Sequence, residues 1–221
     1  MNDKYFNLYL VIKSSHFIFY VVAIENNSVK IEYKLDVPTI GLKDNKISNF
    51  EKIFDTIKHN IFLIEQNQKH TFKEIILILN NFETSFTNIS GYKKLNGSQI
   101  LRENITYILN TLKTYVDKTE EKKKILHIFN SKFLLDSKKI ENPPIGLFGD
   151  FYSHELSFSL IDKNDYKNLQ NLFDKCNLRI KKVLLSNYLK GVYISEKNSD
   201  LNTFYFLEIN LDKSKIFYFE N

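Results

Sequence analysis

The stretch NPPIGLFG, residues 142–149, is the most informative part of the sequence for the fold of this chain. It holds two of the three prolines and two of the six glycines in the whole sequence. Proline fixes φ, and glycine adopts backbone conformations that other residues resist. Such a concentration indicates a connection of defined geometry, and two interpretations are open. The stretch is either a tight connection between two strands or the signature of a protein family.

The chain before this stretch begins with a strand-rich unit. Residues 7–36 contain three runs rich in Tyr, Phe, Val and Ile, which are typical of an antiparallel meander. In residues 46–65 apolar side chains recur at intervals of three and four, which predicts a helix with one apolar face. The run KEIILILN, residues 73–80, is almost continuously apolar and fits a strand buried on both faces.

A second unit, with the predicted order β-α-β-β, surrounds NPPIGLFG. Residues 81–97 predict a strand and then a loop, and the apolar spacing from Ile105 to Val116 predicts a helix. Residues 125–136 and 154–161 predict the other two strands, one on each side of the opening stretch.

The rest of the chain predicts the order α-β-α and then a closing hairpin. Residues 164–178 have the apolar spacing of a helix, with Asn164 or Asp165 as its N-cap. Asn177 is expected in the left-handed conformation that follows many helices. A strand, a short helix and two strands rich in Phe, Tyr and Ile complete the sequence.

This order of elements predicts an α/β protein in which one domain is inserted into another. The first domain comprises residues 1–81 and 162–221, and the α+β insert comprises residues 82–161. A chain of 221 residues is long enough to bury a core in such an arrangement.

Composition argues against several kinds of site. The formal net charge is +5, but only two of the 31 basic residues are arginine, which disfavours dedicated base or phosphate recognition. Cys176 is the only cysteine, so a buried inert thiol is favoured over a Cys–His nucleophile. The five histidines have no metal-ligand spacing. No stretch resembles a membrane span or a secretory signal. We therefore expect a cytoplasmic protein with no catalytic residue, metal or cofactor.

The opening stretch is part of a longer sequence pattern. A strand runs from Leu126-His127-Ile128-Phe129 to Asp136, and Asn142-Pro143 then leads to Gly146 and Gly149. This pattern resembles that of the FtsA family of bacterial cell-division proteins, which belongs to the actin-like superfamily. Pro144 is one residue more than the family has, and Asn130 and Phe133 replace its Pro and Tyr.

The resemblance implies an actin-like, ribonuclease-H-like domain that carries a small inserted subdomain of the SHS2 type. In the FtsA family the segment that corresponds to NPPIGLFG connects strands of this subdomain. The likeness in sequence covers about residues 96–190. Outside this range the resemblance rests on the order of secondary-structure elements.

Two turns that hold phosphate in actin-like ATPases depart from the family pattern. Glycines in these turns let backbone N–H groups approach the anion, and a carboxylate serves the metal. The first turn corresponds to residues 11–14, which include Lys13 and Ser14, and the second corresponds to residues 208–215. The degenerate positions of the second turn are Asn210, Leu211, Asp212 and Lys213. Because every family glycine in both turns is replaced, we expect neither ATP binding nor enzymatic activity.

The resemblance implies a function in assembly of the cell-division machinery through protein–protein contacts. The chain ends after the second phosphate turn, so we expect a shortened relative that does not bind the FtsZ tail or insert directly into the membrane. The implied partners are division proteins, with self-association through the insert, and no nucleic acid. The implied location is the inner face of the membrane at the division site, reached through partners. The alternatives are a PilM-like or other actin-like assembly scaffold and a basic nucleic-acid-binding domain.

The candidate interface lies around the opening stretch and consists of Pro144, Gly146, Phe148, Gly149, Phe151 and Tyr152. Exposed aromatic side chains with polar surroundings are typical of interfaces. The rings of Phe148, Phe151 and Tyr152 are therefore expected to form a partner-binding patch. The alternative is that these rings pack inward beneath the loop.

Overall fold

The chain forms two compact units, one of Met1–Phe82 with Lys167–Asn221 and the other of Glu83–Tyr166. The computed structural model describes residues 4–26, 28–80, 82–198, 200–209 and 214–220. The sequence places the domain boundaries after residues 81 and 161, whereas the compact units divide after residues 82 and 166.

The first part of the chain supplies most of the first unit. Its elements are β1 (Tyr5–Ile12), β2 (His16–Glu25), β3 (Ser28–Pro38), β4 (Leu42–Lys43), β5 (Lys46–Ile47), α1 (Phe50–Gln68) and β6 (Glu74–Leu79). Side chains alternate along β1, so Leu8, Leu10 and Ile12 are all buried on one face. The three runs expected in residues 7–36 are the antiparallel strands β1, β2 and β3.

Helix α1 begins later than its apolar periodicity predicts, because Lys46 and Ile47 belong to the short β4–β5 hairpin. The side chain of Asn49 caps the helix by accepting a hydrogen bond from the Lys52 N–H at 3.0 Å. Its buried apolar face consists of Ile53, Ile57, Ile61 and Ile64.

The second unit is a four-stranded antiparallel sheet with one helix. Its elements are β7 (Thr84–Lys94), α2 (Arg102–Thr119), β8 (Lys123–Leu135), β9 (Lys138–Ile140) and β10 (Phe151–Asp162). The strand order is β7-β10-β8-β9, and the short β9 is additional to the predicted β-α-β-β order. Helix α2 packs on one face, where Gly91 leaves room for the side chains of Ile108 and Leu112.

The remaining elements belong mainly to the first unit. They are α3 (Lys163–Lys175), β11 (Arg179–Leu185), α4 (Ser186–Lys197), β12 (Thr203–Ile209) and β13 (Ser214–Glu220). The N-terminal cap of α3 is Asp162, whose carboxylate accepts from the N–H groups of Asn164 and Asp165 at 2.8 and 3.1 Å. The expectation that Asn164 or Asp165 is the cap is therefore wrong. Asn177 is left-handed as expected, with φ of 57°.

The largest sheet has the order β11-β6-β1-β2-β3. Strand β6 runs parallel to β1 on one side, and β11 runs parallel to β6, whereas β2 and β3 are antiparallel. A parallel connection needs a crossover, and α1 lies in the crossover that leads from β3 to β6 of this sheet. This mixed sheet with helical crossovers confirms the predicted α/β class.

Candidate protein-interaction surface

The loop between β9 and β10, which contains NPPIGLFG, is hydrogen-bonded along its length to the segment that precedes α2. The Gly146 N–H donates to the Ile100 carbonyl at 2.9 Å, and the Ile100 N–H donates to the Leu147 carbonyl at 2.8 Å. Nearby, the Gly97 N–H donates to the Gly149 carbonyl at 3.1 Å. The opening stretch is thus paired with a segment distant in sequence, which fixes its shape more firmly than a simple turn would.

Asp136, the residue that closes the strand of the sequence pattern, fixes the other end of this loop. Its Oδ1 accepts hydrogen bonds from the N–H groups of Asp150 and Phe151 at 2.9 and 2.8 Å. Its own N–H donates to the Phe151 carbonyl at 2.9 Å. Bonds to a carboxylate are stronger than those between neutral groups, so Asp136 positions the first residue of β10.

The two glycines of the opening stretch are needed for different physical reasons. Gly146 has φ of 89°, a conformation that L side chains rarely adopt. Gly149 has no such φ, but a Cβ there would collide with the Leu135 side chain and lie 3.0 Å from Asp136 Oδ2. One glycine therefore permits a backbone conformation, and the other permits close approach of two chain segments.

The exposed apolar side chains near this loop form what we call the loop patch, which consists of Ile145, Leu147, Phe148, Phe151 and Tyr92. Phe148 is 69% exposed and Tyr92 is 77% exposed. Phe151 lies opposite Lys94, and Ser153 lies opposite Tyr92, so Phe151 and Tyr92 are diagonal neighbours on one sheet face. Sequence reasoning missed Tyr92, because its place beside Phe151 depends on the pairing of β7 with β10.

Two members of the expected interface lie inside the unit instead. Pro144 is buried. Tyr152 is 0% exposed and belongs to the core that includes Leu156 and Phe158. Successive side chains of a strand point to opposite faces, so when Phe151 faces solvent its neighbour faces α2. The expectation that Tyr152 is exposed is therefore corrected, and the inward packing that we also considered holds for this ring.

The core beneath the patch contains two polar side chains with unsatisfied atoms. His154 is buried beside Phe133, and its Nε2 lies 3.0 Å from Asn130 Oδ1. The oxygen of Asn130 can only accept, so Nε2 carries the proton and the buried Nδ1 is left without a partner. The Tyr152 hydroxyl also lacks a partner. Burial lowers the pKa of His154 and raises the pKa of Tyr152 to about 12.

The first phosphate-turn position is a closed hairpin turn between β1 and β2. The Lys13 N–H donates to the His16 carbonyl at 3.0 Å, and the Lys13 carbonyl accepts from the Thr39 hydroxyl at 2.9 Å. Neither Lys13 nor Ser14 has a positive φ, although a glycine occupies this turn in the family pattern. The second-turn positions Asn210, Leu211, Asp212 and Lys213 lie outside the described residues.

Few other groups in the described part of the chain could act in catalysis or metal binding. Burial raises the pKa of the Cys176 thiol to about 11, so the sulfur stays protonated at neutral pH. The described residues contain no group of three or more His, Cys, Asp or Glu side chains that could hold a metal ion. None of the described helices is both long enough and apolar enough to cross a membrane.

Comparisons with known proteins connect this chain with solved structures only. No family model matches the sequence, and no curated protein matches it. A chain of the PilM-PilN type IV pilus biogenesis complex is similar, with a TM-score of 0.64 and 11% sequence identity. The match covers 97% of this chain and 58% of that chain.

A protein from Bacteroides thetaiotaomicron VPI-5482 with an actin-like ATPase fold and unknown function also matches, with 14% identity and a TM-score of 0.40. That match covers 97% of this chain and 65% of the other, but its TM-score is too low to carry an argument. The likeness to the PilM-PilN structure does not single out FtsA. At 11% identity it establishes the fold alone, so this chain shares an actin-like fold with the part of that structure that it covers.

Proposed function

We propose that this chain is an actin-like assembly scaffold that acts through protein–protein contacts and does not bind ATP. The loop patch carries this proposal, because it presents apolar side chains on a loop held by many hydrogen bonds. Exposed apolar patches on rigid supports are typical of binding surfaces, since little conformational entropy is lost on binding. The similar PilM-PilN structure is itself a protein complex, which supports a function of this general kind.

The absence of ATP binding is proposed from the first phosphate turn and from the sequence of the second. At Lys13 a side chain stands where the family has glycine, and its N–H is already bonded within the hairpin. Asp212 would place a carboxylate where the family pattern binds phosphate. Lys13 and Lys213 supply positive charge but not the backbone cradle that recognises phosphate.

A role in cell division of the FtsA kind is the second candidate. The pattern from Leu126-His127 through Asp136 to Gly149 favours it, and the insert would then be an SHS2-type subdomain. In this case the partners would be division proteins that bring the chain to the membrane at the division site.

Two-hybrid and purified-protein binding assays against a PilN-type protein and against division proteins of the same cell distinguish these candidates. We expect Phe148→Ser combined with Phe151→Ser to weaken binding of the true partner at least tenfold. The matched control is Tyr193→Ser, because Tyr193 is a comparably exposed aromatic residue on α4 of the other unit. Equal binding by the double variant and the wild type would remove the loop patch from the proposal.

Isothermal titration calorimetry with Mg-ATP tests the nucleotide part of the proposal separately. We expect no binding below millimolar nucleotide, because the Lys13 N–H is already bonded within its hairpin and the family glycines of both turns are replaced by residues with side chains. A micromolar dissociation constant would contradict this part and leave the protein-binding part to be judged by the first experiment.

A further inference from the structure

The hairpin formed by β12 and β13 carries large apolar side chains on both faces. One face carries the side chains of Tyr205, Leu207, Ile209, Ile216 and Tyr218, which we call the outer face. All five are between 54% and 76% exposed. The other face carries four phenylalanines, Phe204, Phe206, Phe217 and Phe219, all of them half-buried.

Helix α4 anchors the phenylalanine face. The ring of Phe219 lies so close to Gly191 that any Cβ at that position would collide with it. The Lys190 ammonium lies 5.4 Å from the centre of the Phe206 ring, and the rings of Phe204 and Phe219 stack at 5.0 Å. The hairpin is thus attached to the first unit by this face, and the outer face points away from the attachment.

A hairpin with two apolar faces needs a cover on the second face. Two-stranded hairpins are marginally stable alone, and strands that are apolar on both faces normally lie between two layers. The described residues contain no third strand paired with β12 or β13. With about 150–250 Å² for a whole aromatic side chain, these exposures leave on the order of 600 Å² of apolar surface on the outer face. Patches of this size on a folded protein usually mark an interface.

We propose that the outer face packs against the outer face of a second copy of this chain, forming a two-fold symmetric dimer. The cross-strand pairs at its centre, Tyr205 with Tyr218 and Leu207 with Ile216, contain no ionised group. Glu220 lies at the rim of the outer face, where its carboxylate accepts a hydrogen bond from the Tyr218 hydroxyl at 3.2 Å. The apolar centre brings no like charges together when it meets its own copy, even though each chain has a net charge of +5.

The available area agrees with a dimer. Two outer faces packed together would bury about 1,200 Å², the lower end of the range for stable specific interfaces. Two-stranded layers stacked about 10 Å apart form a small sandwich, as sheets do in β proteins. This proposal is independent of the loop patch, which belongs to the other unit.

Sedimentation equilibrium over micromolar concentrations tests the dimer. We expect the wild-type chain to form dimers, and Leu207→Thr combined with Ile216→Thr to raise the dimer dissociation constant at least tenfold. Threonine keeps the β-propensity and allows a Thr–Thr cross-strand pair, so the hairpin itself is retained. Ile31→Thr, an exposed apolar residue on β3 outside both the hairpin and the loop patch, is the matched control and is expected to leave the dimer unchanged.

Cysteine cross-linking gives a second test that does not depend on how well the threonine variant folds. In a Cys176→Ser background, Leu207→Cys or Ile216→Cys is expected to yield a covalent dimer on mild oxidation, whereas Ile31→Cys is not. A wild-type chain that is monomeric at about 100 μM overturns the proposal. A dimer that tolerates the threonine pair overturns it as well. A monomer whose outer face instead binds a different polypeptide would show that a second copy is not the occupant.

Discussion

Both faces of the sheet in the second unit carry aromatic side chains, but only one face is covered by a helix. Phe151 and Tyr152 are neighbours on β10, yet Phe151 is half exposed and Tyr152 is completely buried. The difference arises because α2 covers only one face of this sheet. An aromatic residue in a strand is therefore a core residue or a surface residue according to the face of the sheet to which its position points. Composition alone does not distinguish the two.

The same contrast separates this sheet from the β12–β13 hairpin. The sheet buries one face in its core and exposes the other, whereas the hairpin has one face of exposed apolar side chains and a second face of half-buried ones. In the sheet, exposed apolar residues are interspersed with Ser153, Glu155 and Ser157. The outer face of the hairpin has no such polar centre, which is why the two surfaces lead to different proposals.

The largest expected effect comes from replacing Tyr152, the buried member of the Phe151–Tyr152 pair, with a polar residue. Tyr152→Ser is expected to lower the free energy of unfolding by about 3–5 kcal/mol, because it leaves a cavity in a closely packed core. Phe151→Ser is expected to cost less than about 1 kcal/mol, since its ring is already half in water. Chemical denaturation of the two variants measures the difference.

Tyr152→Phe is the control for the size of the ring. The Tyr152 hydroxyl has no hydrogen-bond partner, so its removal is expected to leave stability equal or slightly higher. If Tyr152→Ser and Phe151→Ser proved equally mild, the assignment of α2 to the Tyr152 face would be wrong.

The second prediction contrasts the two glycines of the loop. Ala at either position is expected to cost about 1–3 kcal/mol, through backbone strain at Gly146 and through overpacking at Gly149. Asn tolerates positive φ but is larger than Ala. Gly146→Asn is therefore expected to be milder than Gly146→Ala, and Gly149→Asn harsher than Gly149→Ala. Unfolding curves of the four variants check this ordering, and the same ranking at both sites would refute the distinction.

Much of the fold was predictable because it depends on local periodicity. The apolar spacing of Ile53, Ile57, Ile61 and Ile64 marks a helix face whatever packs on it. The cap of α3 was misassigned because Asp162 is also the last residue of β10, and the two roles cannot be separated without the structure. The left-handed Asn177 was predictable, since few residues tolerate that conformation.

The candidate surface was predictable only in part, because it depends on long-range pairing. Phe148 was expected to be exposed and is, but the burial of Pro144 and Tyr152 follows from the pairing of the loop with residues 95–101 and from the side on which α2 lies. No local pattern contains that information. The hairpin did carry a usable signal, because TFYFLEI is apolar at nearly every position where a one-sided strand would alternate.

The third prediction concerns the dependence of stability on pH. Burial lowers the pKa of His154, so below about pH 6.5, the unfolded value, the unfolded chain binds a proton that the native chain excludes. The free energy of unfolding is therefore expected to fall as the pH decreases, by at most about 1.4 kcal/mol per pH unit for this one group. His154→Phe, which retains the contact with Phe133, is expected to flatten the profile between pH 7 and pH 5. Parallel profiles for the wild type and this variant would show that His154 contributes nothing to it.

The smallest change in stability is expected for substitutions in the loop patch. These substitutions are expected to alter dye binding to the surface more than they alter stability. Phe148→Ser combined with Phe151→Ser is expected to change the free energy of unfolding by less than about 1 kcal/mol, because both rings lose little burial when they are truncated. Removing two large apolar side chains from one patch is nevertheless expected to reduce the fluorescence of a hydrophobic dye bound to the native protein. Tyr193→Ser, which removes a single exposed ring on α4 of the other unit, is expected to leave that fluorescence nearly unchanged. A marked loss of stability in the double variant would mean that the loop patch is part of the core, and the comparison between the two faces of the sheet would no longer hold.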